Sequence, residues 1–266
     1  MATASEDEIT AASAYEDLYV PGVFQQWAPR VVKAAGIEPG HRVLDIACGT
    51  GVLAREAASR VGEDGSVVGV DPSPGMLTMA KRLAPSIEWK EGVAESLPFG
   101  AESFEAVVSN FGLMYFRDRA GGLREMLRVL VPGGRMAVAV WESLENSEAY
   151  PDEVALLEQL AGQEAADALK APFVLGDRAE LTALFETAGV QSVEIATHIG
   201  RAQFPSIRTM VEADLRGWLP VMGVNLSEDK IETILEEAEQ ALKQFVTSEG
   251  SMAFDSPAHI VTGRKL

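Results

Sequence analysis

Two carboxylates and two glycines in a fixed order carry the chemistry legible in this chain: Asp45, Gly49, Gly51 and Asp71. The run Val43-Leu44-Asp45-Ile46-Ala47-Cys48-Gly49-Thr50-Gly51 predicts a buried strand ending near a carboxylate, a glycine turn, and a helix from about Val52. A cofactor can approach backbone closely only where side chains are missing, which Gly49 and Gly51 supply. Asp71 stands twenty residues beyond Gly51, at the end of a second strand-like run, where an acid can accept hydrogen bonds from ribose hydroxyls. Two cofactor classes fit this outline. Read literally, Gly49-Thr50-Gly51-Val52-Leu53-Ala54 satisfies the dinucleotide pattern G-x-G-x-x-G/A. Asp45 weighs against a dinucleotide: two like charges about 6 Å apart, in an effective dielectric of about 20, repel by roughly 3 kcal/mol. A cofactor bringing an ammonium and a sulfonium would be attracted instead, so the charge favours S-adenosylmethionine.

The elements that must position these residues alternate. Strands are expected at 42–47, 66–71, 86–91, 104–110 and 134–141, and helices at 51–61, 73–84 and 119–130. In the last helix Leu123, Met126, Leu127 and Leu130 share one face, and Pro132-Gly133-Gly134 stops it. Such alternation implies an α/β fold with a mostly parallel, doubly wound sheet, ligands lying beyond the carboxyl ends of the strands. Residues 1–12 are polar and expected to fray. From Tyr15 to Ala35 the pattern is helical, broken at Pro21-Gly22, with Val23, Phe24, Trp27, Val31 and Val32 as its apolar stripe. Further on, 149–169 and 177–188 read as helices and Ser192–Ile199 as a strand. Residues 210–222 are rich in large apolar groups, a long amphipathic helix carries Ile231 to Val246, and Ala258–Thr262 reads as a closing strand.

Composition sets outer limits. The 266 residues are 47% hydrophobic, enough for a substantial core in one large domain. A net charge of −18 argues against a nucleic-acid partner, which needs a basic surface. No apolar run reaches bilayer length, Met1–Thr10 is unlike a signal peptide, and the single Cys48 is compatible with the cytoplasm. His41, His198 and His259 have no metal-ligand spacing, so no metal is expected.

Five ordered segments, VLDIACGTG (43–51), VVGVDPS (67–73), EGVAESLPF (91–99), SFEAVVSNFGLMYF (103–116) and LREMLRVLVPGGRMAVAVW (123–141), resemble class I S-adenosylmethionine-dependent methyltransferases. The resemblance is to the broad group that includes ubiquinone/menaquinone C-methyltransferases and other small-molecule enzymes. It implies a Rossmann-like, seven-stranded sheet with helices on both faces, N-terminal helices and a C-terminal helical cover. Within 1–266 it places a helical cap at 1–40, the cofactor core at 41–142, and the sheet completion at 143–266, with the cover at about 201–250.

The resemblance also implies roles. Asp45 would hold the methionine end of the cofactor, directly or through water, with Ala47, Gly49 and Gly51 lining it through their backbone. Asp71 would take the ribose hydroxyls, and Pro72 and Met76 would pack on the adenine, unless they belong to the core. Val93, Ala94 and Glu95 match the adenine-edge segment, but Val93 stands where an Asp is common and cannot accept from the adenine amine. Glu95 or backbone carbonyls would then substitute. Asn110 and Phe111 would lie where the sulfonium meets the acceptor; the prolines that amino-methylating nucleic-acid enzymes carry there are missing. Tyr15 and Tyr19, with Trp27, would close over the cofactor or simply pack on the sheet. Met114, Trp141 and Trp218, with Tyr15, could face the acceptor or fill the core.

Methyl transfer from a sulfonium is an in-line displacement, for which alignment alone can supply roughly 7–11 kcal/mol. A base, if one is used, would be Tyr115, Glu142 or His198. The expected activity is methylation of a small molecule. A nicotinamide oxidoreductase and a non-catalytic S-adenosylmethionine binder remain the alternatives.

Overall fold

The computed structural model describes residues 3–266; the expected fraying at residues 1 and 2 lies outside the described residues. The remaining start is ordered. Helix α1 (Glu6–Ala14) opens on a capping box, in which the Glu8 N–H donates to Ser5 Oγ and the Ser5 N–H to Glu8 Oε2. The chain then continues without a break through a π-helical stretch (Tyr15–Phe24) and one 3-10 turn into α2 (Ala28–Ala34). Pro21-Gly22 is therefore not the interruption expected. A proline inside an α-helix lacks a donor and crowds the carbonyl four residues earlier, and the wider π turn accommodates it. Gly22 answers a packing need, because a Cβ there would lie 2.6 Å from the Gln203 carbonyl oxygen.

The strands are β1 (Arg42–Ile46), β2 (Ser66–Asp71), β3 (Glu88–Glu91), β4 (Phe104–Asn110), β5 (Leu130–Trp141), β6 (Gln191–Phe204) and β7 (Met252–Arg264). They form one seven-stranded sheet in the order β3-β2-β1-β4-β5-β7-β6. Neighbours from β3 to β5 are parallel, and β7 runs antiparallel between β5 and β6. Between them lie α3 (Val52–Val61), α4 (Pro74–Leu83), α5 (Arg119–Val129), α6 (Tyr150–Ala161), α7 (Gln163–Lys170) and α8 (Arg178–Thr187). Strands β1 and β4 occupy the centre, and their side chains Leu44, Ile46, Val107 and Val108 are almost fully buried, as parallel strands covered on both faces require. The strand order reverses between β1 and β4, which creates a crevice at their carboxyl ends.

The C-terminal part departs most from expectation. The helix expected at 149–169 is two, α6 and α7, divided by Gly162 at φ 91°. Strands β6 and β7 run well beyond their expected limits as a two-stranded ribbon, from Ile199 opposite Pro257 to Phe204 opposite Met252. Gly200 and Pro257 read as strand breakers, but Gly200 makes room for the Trp27 indole. Pro257 lies one residue past the end of the β5 pairing, where the missing N–H breaks no ladder bond on that side. From the ribbon tip the chain enters α9 (Ile207–Ala213), a π turn (Asp214–Trp218), α10 (Leu219–Val221) and α11 (Glu228–Ala241) before returning as β7. Among the described residues no helix is long and apolar enough to cross a membrane.

Candidate functional site

The crevice between β1 and β4 is bounded by two residues in the left-handed region, Ala47 at φ 54° and Phe111 at φ 57°. Such conformations cost non-glycine residues about 1–3 kcal/mol each and cluster at functional sites. Beyond Ala47 the chain turns through Cys48, whose N–H donates to the Val70 carbonyl, and Gly51, whose N–H donates to the Cys48 carbonyl. Asp71 fixes this turn from the next strand. Its Oδ2 accepts from the Gly49 N–H at 2.9 Å and its Oδ1 from the Ser73 N–H at 2.8 Å. Ser73 in turn caps α4, accepting from Met76 N–H. Burial raises the Asp71 carboxyl, and the two amides oppose that shift. Each of its oxygens keeps a lone pair for a diol.

Asp45 lies beneath the turn, fully buried, and neither of its oxygens has a hydrogen-bond partner. Burial pushes this carboxyl well above the usual range; the Ala54 N–H, outside ordinary hydrogen-bond geometry, opposes the shift, and Asp71 adds to it. Asn110 Oδ1 is buried and unpartnered as well. Orphaned acceptors of this kind are uncommon in native interiors and ask for a missing donor.

The two turn glycines serve different purposes. Gly49, at φ 55°, has open room: a Cβ there would approach the Tyr15 ring at 3.9 Å, an ordinary contact. Gly51, at φ 90°, has none, because a Cβ would be driven into the Trp89 indole, which also occupies the space left by Gly69. Gly51 thus meets a packing requirement against Trp89. Gly51→Ala is expected to destabilise the fold by about 2–4 kcal/mol through overpacking and backbone strain. Gly49→Ala is expected to cost about 1 kcal/mol for its left-handed backbone and to act mainly on ligand affinity. Urea denaturation with a parallel ligand titration measures both.

The N-terminal helices close one side. Helix α1 packs directly on α4, where a Cβ on Gly75 would lie 2.5 Å from the Glu8 carbonyl oxygen. Arg55 of α3 clamps the same segment, donating to the Thr50 carbonyl and pairing with Glu16 at 2.7 Å. Tyr15 is thereby held over Gly49 and stacks with Tyr19, ring centroids 5.9 Å apart. Desolvation raises the Tyr15 phenol, with further contributions from Tyr115, Asp71, Glu16 and Asp45, so its hydroxyl stays protonated beside both site carboxylates.

Several expected residues lie elsewhere or play other parts. Phe111 turns into the core and stacks on Trp141 at 3.9 Å between centroids, within a cluster that includes Phe24 and Trp27. Met114 and Ala94 are buried. Glu95 Oε1 accepts from the Arg117 and Asp118 N–H groups ahead of α5, so it braces that loop. Val93 is exposed and forms an isolated bridge with Ser96. Pro72 is exposed and Met76 half-buried beside Asp71. Among the expected bases, Glu142 accepts from Asn146 Nδ2 at 2.6 Å. His198 is exposed in a groove on the sheet edge with Arg30, Lys33 and Ala34, away from the crevice. Tyr115 is 47% exposed, and desolvation and then Asp214 raise its phenol, which keeps the hydroxyl protonated in the unliganded protein. Trp218 donates to the Ala168 carbonyl and lies 5.3 Å from the Tyr115 ring. His259 is a satisfied core histidine, bonded to Thr197 Oγ1 and the Gly176 carbonyl. Among the described residues no group of three His, Cys, Asp or Glu side chains could hold a metal.

Sequence reasoning missed one cluster beside this crevice. The Tyr19 hydroxyl donates to Asp214 Oδ1 at 2.7 Å, and Asp214 adjoins Glu153. Asp214 is 3% exposed and Glu153 fully buried; Asp214 Oδ2 and both Glu153 oxygens have no other partner. The signal was present as an acid within an apolar stripe: Glu153 between Tyr150 and Leu157, and Asp214 between Met210 and Leu215.

Comparison with known proteins agrees with this geometry. Residues 43–134 match the methyltransferase-domain family. A demethylmenaquinone methyltransferase of Renibacterium salmoninarum is 44% identical over 123 residues, 46% of this chain and 51% of that protein, so the chain spans about half the length of that relative. A ubiquinone/menaquinone biosynthesis C-methyltransferase of Cupriavidus necator is 34% identical over 221 residues, covering 72% of this chain and 89% of that one. Among solved structures, the YcgJ protein of Bacillus subtilis aligns with a TM-score of 0.60 at 21% identity, over 90% of this chain and 98% of that one. That likeness speaks for the fold.

Proposed function

Because the chain belongs to the class I S-adenosylmethionine-dependent methyltransferases, we propose that it transfers a methyl group from S-adenosylmethionine to a small-molecule acceptor. The observation that carries this reading is the Asp45–Asp71 pair at the switch point, one carboxylate buried without a partner and the other holding the turn. The residues fit the cofactor. Asp45 answers its positive charge, through the turn or by one bound water, and Asp71 presents acceptors for both ribose hydroxyls. Tyr15 offers an aromatic face above Gly49 where a sulfonium is attracted. Ala47, Asn110, Pro72, Met76 and the Val93–Ala94 backbone complete the proposed binding set, while Tyr19 acts on the acceptor side and Phe111 through packing.

When bound, the cofactor supplies an activated methyl group with a neutral thioether as leaving group. The chain's own residues align and seal. The Arg55–Glu16 pair holds the N-terminal cap over the crevice, and the helices after β6 cover the acceptor side. This supports the division into a cap (1–40), a cofactor core (41–142) and a completion with cover (143–266, the cover at about 201–250). Acidic composition and the lone, buried Cys48 support a cytoplasmic enzyme and argue against a nucleic-acid acceptor.

A dinucleotide is disfavoured for a reason beyond charge. In the dinucleotide pattern the second glycine lets a pyrophosphate approach the backbone, and here the Trp89 indole fills that space. Thermal denaturation tests the reading. S-adenosylhomocysteine at about one hundred times its Kd should stabilise by roughly 2.7 kcal/mol, and NAD should give no shift. Stabilisation by NAD alone would overturn it. Product formation with candidate acceptors then separates an enzyme from a binder.

A further inference from the structure

Four separately folded segments bring polar groups together on the acceptor side, around the buried acids Glu153 and Asp214. The π-helical stretch brings Tyr19, α6 brings Tyr150 and Glu153, the turn after β4 brings Tyr115, and the π turn after α9 brings Asp214. Tyr19 takes Asp214 Oδ1; the other three oxygens of the two carboxyl groups have no donor outside the pair. Among the described residues neither acid is ion-paired with a Lys, Arg or His side chain. Buried acids without a cation are costly, and replacing them with apolar side chains would be the cheaper way to build a core. Their presence asks for a ligand.

We propose that the acceptor is a protonatable amine whose ammonium binds between Asp214 and Glu153, against the rings of Tyr19 and Tyr150. This deepens the methyltransferase reading and rests on it. The donor inventory selects the class: an ammonium brings positive charge and an N–H donor to two buried carboxyl groups that have only each other and Tyr19 as partners, whereas a quinone carbonyl brings another acceptor. Aromatic faces favour the same charge, and Tyr150, packed by Phe173 and Phe254, is held rigidly for it.

The site also removes a proton. An ammonium nitrogen has no free lone pair. One N–H bond breaks as one O–H bond forms on the carboxyl pair, so the nitrogen becomes nucleophilic and the total charge of the pocket is unchanged. Asp214 is suited to this, since burial raises it to about 7 while Tyr19 and Glu153 limit the rise. The three facing tyrosines are all raised and stay protonated.

Calorimetry on protein saturated with S-adenosylhomocysteine tests this, comparing N,N-dimethylethanolamine with its uncharged isostere 3-methylbutan-1-ol at pH 8. The amine should bind at least tenfold more tightly. Glu153→Gln combined with Asp214→Asn should abolish that preference while S-adenosylhomocysteine affinity stays within about twofold. The neutral pair should also raise the melting temperature of the unliganded protein, which shows that the variant folds. Equal binding of the two probes, no amine binding by protein that still binds S-adenosylhomocysteine, or a preference unchanged in the double variant would overturn the proposal. Wild-type protein that fails to bind S-adenosylhomocysteine would instead overturn the cofactor reading beneath it.

Discussion

Replacing Asp71 with alanine is expected to weaken S-adenosylhomocysteine binding by at least 100-fold. Two losses combine. A charged acceptor for two ribose hydroxyls is removed, and hydrogen bonds to charged groups contribute about 1.5–3 kcal/mol each, so a loss near 3 kcal/mol is a conservative sum. The Gly49 and Ser73 N–H groups also lose the oxygens that hold the turn and the start of α4 in register. Asparagine should not rescue affinity. Both carboxylate oxygens accept from backbone amides, so one of those amides would then face a side-chain NH2 group. Glutamate adds a methylene where the geometry has no slack. Isothermal titration of the three variants checks this, and near-native affinity in Asp71→Ala would remove Asp71 from the site.

The half of the molecule that holds Asp45 and Asp71 was legible because its signals are local. Strand 66–71 and strand 104–110 have the expected bounds, and α5 ends at Val129, within one residue of the expected place, although Pro132-Gly133-Gly134 lies inside β5 rather than at the helix end. Apolar runs, caps and turn residues act over a few positions, and in a parallel sheet they suffice to order the chain. The acceptor side depends on long-range contacts instead. Gly200 and Pro257 are breakers by local rules, yet one makes space for Trp27 and the other lies beyond the β5 pairing, so the ribbon runs on. Gly51 shows the same lesson inside a motif: its missing side chain is filled by Trp89, which stands thirty-eight positions away in sequence. Phe111 reads as a pocket residue by position, but its left-handed backbone turns the ring onto Trp141. The acids Glu153 and Asp214 sit among apolar neighbours, and the local pattern does not single them out. An acid on the buried face of a helix carries more information than the apolar residues around it.

The stability of the unliganded protein should fall as pH rises from about 5.5 to 8, a range in which exposed carboxylates are already ionised. Asp45, Asp71, Asp214 and Glu153 all have folded-state values raised by burial. A raised carboxyl binds more protons in the folded state than in the unfolded one, so its contribution is fully present below about pH 4 and is lost as pH passes its folded value. For Asp214 that value is about 7, which places the loss within the neutral range. Glu105, Glu125 and Glu228 act in the opposite sense, because their arginine partners lower them. Their contribution disappears only as pH falls below about 4.5, so the two windows do not overlap. Each unit of upward shift is worth about 1.4 kcal/mol, and a chain of this size loses roughly 2–4 °C per kcal/mol. A fall in melting temperature on the order of 5–10 °C between pH 5.5 and 8 is therefore expected. Glu153→Gln with Asp214→Asn should remove much of the slope and raise the melting temperature most at pH 8. Asp45→Asn should raise it too, but at the expense of cofactor binding, since the charge that burdens the empty fold is the one the cofactor's ammonium would answer. A melting temperature flat across this range in the native sequence would mean that these buried carboxyls already have partners, and the case for both the cofactor and the amine site would go with it.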